Sequence, residues 1–363
     1  MARRLFQVLF GMLAFLVTCE LALRALPVST FTALGYYVDP MILTSPSYHR
    51  WTASTGWTLL NPQHVESNNA GFIAHRDFER NENAVAVIGD SFVEASMLDA
   101  DDRPGAQLEH ILGGRPVFSL GAAGTSLLDY AERIRWVQTK YGVRDMVVMM
   151  VPGDLRDSLC GSGQTHGPCL DRRTLAPRTE LKPAPGPLMR VVRRSALAQY
   201  LFNQLNFSLA RLQKNALESV RHPGANGGEG GTADVSGAGG KGGVEISSGA
   251  PPASLDAVSD AFFKRIAPYR TGRLVILIDS GRTAMAGTPR LVDTDRFIAQ
   301  ARAHGAIVVD TDPLFREHMK ASPLKLSVGP YDGHLNRLGI GIAMRAAADA
   351  LQAGEGSFSR RAP

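Results

Sequence analysis

The chain has 363 residues, 44% hydrophobic and 20% charged, with a mean hydropathy of −0.06. These values exclude both a disordered chain and a polytopic membrane protein. Lys and Arg number 39 against 34 Asp and Glu, a net charge of +5, but the excess is scattered as arginine pairs, which reads as a solubilising surface and not as a nucleic-acid face.

At the N-terminus, Arg3 and Arg4 precede an apolar run from Leu5 to Leu23 that is interrupted only by Gln7, Thr18 and Glu20 and closed by Arg24. About twenty residues at ~1.5 Å each span the ~30 Å hydrocarbon core of a bilayer. The run predicts a membrane segment over residues 5–23, with the N-terminal arginines in the cytoplasm and the body of the chain outside it. The exit, Cys19-Glu20-Leu21-Ala22-Leu23-Arg24, lacks the small residues of a cleavage site. An uncleaved anchor over residues 1–26 is therefore expected. A cleaved or lipidated N-terminus, the latter through Leu16-Val17-Thr18-Cys19, is the alternative.

After a lead-in over 27–80, Ala84–Ile88 is a short apolar, β-branched run ending at Gly89. It reads as a buried parallel strand followed by a turn and a helix beginning near Phe92. Val117–Leu120, Met146–Val151, Leu274–Ile278 and Ala306–Val309 repeat the pattern, with helical character over Pro104–Leu112, Leu127–Tyr141, Thr294–His304 and Leu338–Leu351. Alternating β and α segments predict a parallel, doubly wound α/β domain over 81–159 and 261–353. In such folds ligands sit beyond the carboxyl ends of the strands.

The intervening excursion, 160–260, opens with Cys160 and Cys169, which could close a disulfide loop in an oxidising compartment. Only His166 lies between them, too few ligands for a metal site. There follow the basic residues Arg172, Arg173, Arg178, Arg190, Arg193 and Arg194, and a helix-like segment Ser195–Val220 whose apolar face would pack on its own domain or on a membrane surface. Eleven of the 37 glycines fall between Gly224 and Gly249, so the stretch 223–252 reads as a flexible surface insertion without chemistry.

Three strand ends carry reactive groups. Gly89-Asp90-Ser91-Phe92 puts a serine at a strand-to-helix turn, as a helix cap or as a nucleophile. Gly121-Ala122-Ala123-Gly124-Thr125-Ser126 is a turn whose glycines permit close backbone approach, for structure or to aim an N–H. Asp332-Gly333-His334 precedes the last helix, as a simple turn or as a general base with its orienting carboxylate. Their joint occurrence at the ends of one sheet favours convergence. Asp154 and Ser280 follow the third and fourth strands and are candidate pocket residues. His110 and His304 read as ordinary surface or boundary positions.

These residues together resemble the SGNH/GDSL hydrolases, esterases, lipases and acyltransferases on a flavodoxin-like three-layer α/β/α fold. Gly89-Asp90-Ser91-Phe92 is similar to the first block with Phe in place of Leu, Gly124 to the second-block glycine, and Asp332-Gly333-His334 to the last block in the short Asp-x-His form of the alginate O-acetylation proteins. Asn69-Ala70-Gly71-Phe72 and the Glu20–Arg24 exit resemble anchored bacterial members. The resemblance covers roughly residues 1–155 and 270–352. It implies Ser91 as nucleophile, His334 as base, Asp332 as its orienting partner, and an oxyanion hole from the Ser91 and Gly124 backbone N–H groups. One departure stands out. At the third block the chain reads Val151-Pro152-Gly153-Asp154, so Gly153 stands where the family has an oxyanion-hole asparagine, a donor whose loss typically costs about 10²–10³ in turnover.

The expected protein is an inner-membrane, periplasmic ester hydrolase or O-acyltransferase acting on acylated carbohydrate or lipid-like esters. It would need no cofactor, metal or nucleic-acid partner. A catalytically weak binding or assembly protein of an envelope polysaccharide machine is the alternative that Gly153 raises.

Overall fold

A computed structural model of the chain describes residues 2–30, 36–151, 153–164, 166–182, 186, 194–205, 252–279, 292–329 and 332–353. The chain forms two compact units, one of 1–32, 51–64 and 185–242, the other of 33–50, 65–184 and 243–363. This division differs from the one read from sequence. The segment 160–184, with its cysteines, groups with the α/β domain, and so does the chain from 243 onward.

In the larger unit, five parallel strands form one sheet: β1 (Val85–Gly89), β2 (Val117–Gly121), β3 (Asp145–Met150), β4 (Leu274–Ile278) and β5 (Ile307–Asp310), in the order β2-β1-β3-β4-β5. This is the flavodoxin-like order, and its ligand crevice lies where the winding reverses, between β1 and β3. Val85 pairs with Val117, Val275 with Val147 and Ile278 with Asp310. The strands are apolar on both faces because both are covered. Ala86, Ile88, Phe118 and Val148 face one buried cluster, while Val85, Val87, Val147 and Leu277 face the other. The first cluster is completed from α3 (Leu127–Tyr141), α5 (Pro252–Ile266) and α6 (Val292–Ala303), the second from α2 (Pro104–Ile111), α7 (Asp312–Ala321) and α8 (Arg337–Ala353). The result is the three-layer α/β/α sandwich expected.

The helix α3 has the bounds its sequence predicts. Ser126 and Asp129 form a capping box at its start, and Gly142, at φ +75°, closes its last turn by donating its N–H to Gln138 O. By contrast, α5 begins inside the stretch read as flexible insertion. Leu255, Val258, Phe262 and Phe263 are buried against the sheet, and a fully buried side chain of this size contributes about 1.5–3 kcal/mol. Contact with the core therefore makes a helix from the last residue of that stretch and from residues 253–260, which the sequence reading left in the excursion without an element. The helix α7 was also unforeseen; Phe315 is its buried anchor.

Asn69-Ala70-Gly71-Phe72 has a structural role here. Asn68 Oδ1 accepts the N–H groups of Ala70 and Phe72, and the Asn69 amide exchanges two hydrogen bonds with the Phe78 backbone.

In the smaller unit, α1 (Ala2–Arg24) includes a span, Arg3–Arg24, long and apolar enough to cross a membrane. The interruption at Glu20 has a partner: its carboxylate accepts from Ser195 Oγ and from the Ala196 and Leu197 N–H groups, capping the helical turn Ala196–Gln199. The chain then continues as a π-helical turn, Tyr200–Gln204, and the Gln204 amide donates to Ser54 and to the Gly56 carbonyl. The single helix read over Ser195–Val220 is thus two short turns as far as residue 205; the remainder, Arg190, Arg193 and the glycine-rich stretch lie outside the described residues.

Candidate active site

At the end of β1, Asp90 caps a single helical turn, Ser91–Glu94, by accepting the Phe92 N–H at 2.9 Å; Ala95, at φ 45°, ends it. Near the C-terminus, Ser327–Gly329 and Asp332–Leu335 pair as an antiparallel hairpin, where sequence offered only a turn. That hairpin carries His334 to the serine. His334 Nε2 lies 2.8 Å from Ser91 Oγ, and His334 Nδ1 lies 2.6 Å from Asp332 Oδ1. Asp332 Oδ1 also accepts the His334 backbone N–H at 3.0 Å. A carboxylate only accepts, so Nδ1 carries the proton and Nε2 is left to accept from the serine hydroxyl. Ser91 and His334 are each 7% exposed, and the Phe92 ring packs 4.6 Å from the imidazole.

The second turn is pressed against the first. A Cβ on Gly121 would stand 2.0 Å from Glu94 N, an impossible approach for any other residue. Ala122 N–H donates to Gly89 O, and Ala123 N–H donates to the Glu94 carboxylate at 2.5 Å. Beneath both turns lies Arg133, 1% exposed. It donates to Gly89 O at 2.5 Å, Leu120 O at 3.1 Å and Thr125 Oγ1 at 2.9 Å, tying the Ser91 turn to the Gly124 turn. Sequence reading missed this residue. Its signal, an arginine on the otherwise apolar face of α3, is unreadable without knowing which face meets the sheet.

Buried carboxylates surround this one guanidinium. Burial pushes Glu94 up to about 7 against the pull of the Ala123 N–H, His334 and Arg133. Asp129 is raised to about 6 by burial despite Arg133 and the Ser126 N–H. Asp90 is also raised by burial, with the Phe92 N–H, His334 and Arg133 opposing.

On the far side of the crevice, Gly153 caps the short helical turn α4 (Asp154–Asp157). A Cβ on Gly153 would stand 3.2 Å from Asp157 Oδ2, so a carboxylate occupies the neighbourhood where an asparagine side chain would start. Burial, and after it the nearby Asp90, raise Asp157 to about 6. Asp154, read as a pocket residue, is instead 2% exposed. Its carboxyl accepts the Val151 N–H at 2.9 Å and meets the Tyr130 hydroxyl, which makes it part of the packing under the turn. Ser280 lies outside the described residues.

Cys160 and Cys169 are joined as a disulfide. Glu180 lies near both sulfurs, but bonded sulfurs leave no thiolate for a metal. The loop they close reaches the second turn. A Cβ on Gly124, whose φ is +72°, would stand 3.0 Å from Gln164 Oε1 and 3.7 Å from His166 Nε2. Gln164 carries no signal in the sequence, and His166 reads there only as a lone ligand between the two cysteines. Of the other histidines, His110 is exposed and the His304 ring stacks on Phe263 at 4.4 Å.

The fold is a parallel sheet in flavodoxin-like order, with a serine, a histidine and an aspartate joined by hydrogen bonds at its carboxyl edge. No family model and no curated protein matches the sequence. Among solved structures, the chain is similar to a member of the lipolytic protein G-D-S-L family from Veillonella parvula, at 12% identity over 76% of this chain and 98% of that one, with a TM-score of 0.36. It is also similar to a carbohydrate esterase family 2 enzyme with a carbohydrate-binding domain from Corynascus thermopiles, at 14% identity over 81% and 71%, TM-score 0.34. A third is the acetyl xylan esterase Est2A from the rumen bacterium Butyrivibrio proteoclasticus, at 8% identity over 78% and 66%, TM-score 0.34.

Proposed function

We propose that this chain is a membrane-anchored serine ester hydrolase or O-acyltransferase of the SGNH/GDSL type, acting on acylated carbohydrate or lipid-like esters of the cell envelope. The observation that carries the reading is the pair of hydrogen bonds from Ser91 Oγ to His334 Nε2, 2.8 Å, and from His334 Nδ1 to Asp332, 2.6 Å. Ser91 Oγ attacks the ester carbonyl as its proton passes to His334 Nε2, and Asp332 holds the imidazolium that forms. Collapse of the tetrahedral intermediate returns that proton to the leaving alcohol and leaves an acyl group on Ser91. Water as the second acceptor completes hydrolysis; a sugar hydroxyl completes transfer. The Ser91 and Gly124 backbone N–H groups are assigned to the oxyanion by the motif resemblance.

The apolar α1 behind Arg3 and Arg4 supports an inner-membrane anchor with the α/β domain in the periplasm, and a disulfide in that domain fits an oxidising compartment. A second reading, a binding or assembly protein with a weak site, is favoured by the Asp157 carboxylate beside Gly153. Treatment of the purified chain with a fluorophosphonate, alongside hydrolysis of p-nitrophenyl acetate, separates the two. Labelling of Ser91 with ester turnover is expected. An unlabelled Ser91 together with no turnover overturns the enzyme reading and leaves the binding one.

A further inference from the structure

We infer that Gln164, carried by the disulfide-closed loop of residues 160–169, donates a side-chain hydrogen bond to the oxyanion in place of the asparagine that Gly153 lacks. The inference rests on the hydrolase reading above and names the group that completes its site. The second-block glycine, Gly124, is the point of contact: the Gln164 amide lies 3.0 Å from where its Cβ would be. Oxygen and nitrogen of a side-chain amide exchange places by a half-turn of the group, so Nε2 reaches the same spot when an anion is there to receive it.

The loop is held in place against this turn. The Cys160–Cys169 bond closes it. Gly161 N–H donates to both Glu180 oxygens, and Arg172 Nε donates to Cys160 O. At its other end, the His166 backbone N–H donates to Asp129. Asp129 is also the residue that caps α3 through Ser126, two positions after Gly124. One carboxylate therefore sets the loop and the glycine turn relative to each other, the preorganisation an oxyanion donor needs. His166 stands beside Gln164 against Gly124. Burial, with Lys182 and Arg133 adding, holds its pKa down to about 4, so at neutral pH it brings no positive charge to the turn. Across the crevice the side-chain space at Gly153 adjoins the Asp157 carboxylate, which repels an oxyanion where the family has a donor.

The test uses the full chain in detergent and two rates, p-nitrophenyl acetate turnover and phosphonylation of Ser91 by a fluorophosphonate, which places its own P–O oxygen in the hole. Gln164→Ala is expected to lower kcat about 10²-fold and to slow phosphonylation in parallel, with KM within about threefold and the thermal midpoint unchanged. Gln164→Asn, one methylene short, should fall between. Adding Gly153→Asn to Gln164→Ala should recover at least about tenfold, because the missing donor returns from the other wall. Both rates of Gln164→Ala within about threefold of the parent, or a loss confined to KM, overturn the inference while leaving the hydrolase reading intact. A parent that neither turns over ester nor labels at Ser91 overturns both.

Discussion

The two walls of the crevice are built on opposite principles. On the β1 and β2 side, buried polar groups are tied to one another: Arg133 binds two carbonyls and a hydroxyl, Asp90 caps the serine turn, and Glu94 holds the Ala123 N–H. On the β3 side, Gly153 supplies no side chain and the Asp157 carboxylate stands beside it. The first wall spends buried charge on geometry, and the second leaves space. The difference teaches that the Ser91–His334 pair can be held firmly beside a wall without a side-chain donor, so under the proposed mechanism the relay and the oxyanion hole should fail separately.

The largest effect should come from the relay. Ser91→Ala or His334→Ala is expected to reduce kcat for p-nitrophenyl acetate by about 10⁴-fold or more, with fluorophosphonate labelling abolished in the serine variant. Retained turnover would move the chemistry elsewhere.

Next is the clamp under the first wall. Arg133→Met keeps the reach of the side chain but removes the donor to Gly89 O, Leu120 O and Thr125 Oγ1 and leaves the carboxylates around it without their cation. A loss on the order of 3–5 kcal/mol in unfolding free energy is expected from denaturant titration. A loss under about 1 kcal/mol would mean that the first wall does not depend on it.

The pH dependence of stability tests the same wall more gently. The Glu94 carboxyl is raised from the ordinary 4.5 to about 7. Between these values the folded chain holds a proton that the unfolded chain has released, so this contribution is full below about 4.5 and is lost as pH rises through 7. At ~1.4 kcal/mol per unit the loss approaches about 3 kcal/mol. His166 runs the other way: its pKa falls from 6.5 to about 4 on folding, so its contribution grows as pH rises between those values. Comparing the parent with Glu94→Gln cancels the histidine. Thermal midpoints measured from pH 4.5 to 7.5 should fall more steeply with pH in the parent, and parallel curves would show that Glu94 ionises freely.

The smallest effect belongs to the second wall. Asp157→Asn removes the carboxylate beside Gly153 and should raise kcat about tenfold above pH 6, where the parent side chain is ionised, and leave it unchanged below. An increase that persists at pH 5 would point to packing instead of charge.

Much of the framework could be read directly. The five strands and the helices α2, α3, α6 and α8 were legible because a fully buried strand is a short β-branched run and a capped helix announces its ends in neighbouring residues. The three reactive segments were legible through their turns. What was not legible depended on contacts distant in the chain. The helix α5 starts among residues whose composition says loop, and only burial of Leu255 and Phe262 makes it a helix of the core. Asp154 carries a carboxylate suited to a pocket, yet the Val151 N–H and the Tyr130 hydroxyl draw it inside.

By itself, then, the sequence determined the apolar N-terminal segment and the α/β class and marked Ser91, Asp332 and His334 as candidate site residues, since each rests on local composition, periodicity or motif. Only the tertiary structure decided which of them meet. Ser91 and His334 are separated by 243 positions, and closing that distance takes a parallel sheet, a short hairpin before the last helix and a buried arginine. The approach of Gln164 to Gly124 was likewise settled by a disulfide and by the Asp129 carboxylate. No residue's neighbours in sequence encode such a meeting, because it arises when several elements bury their apolar faces against one sheet at once.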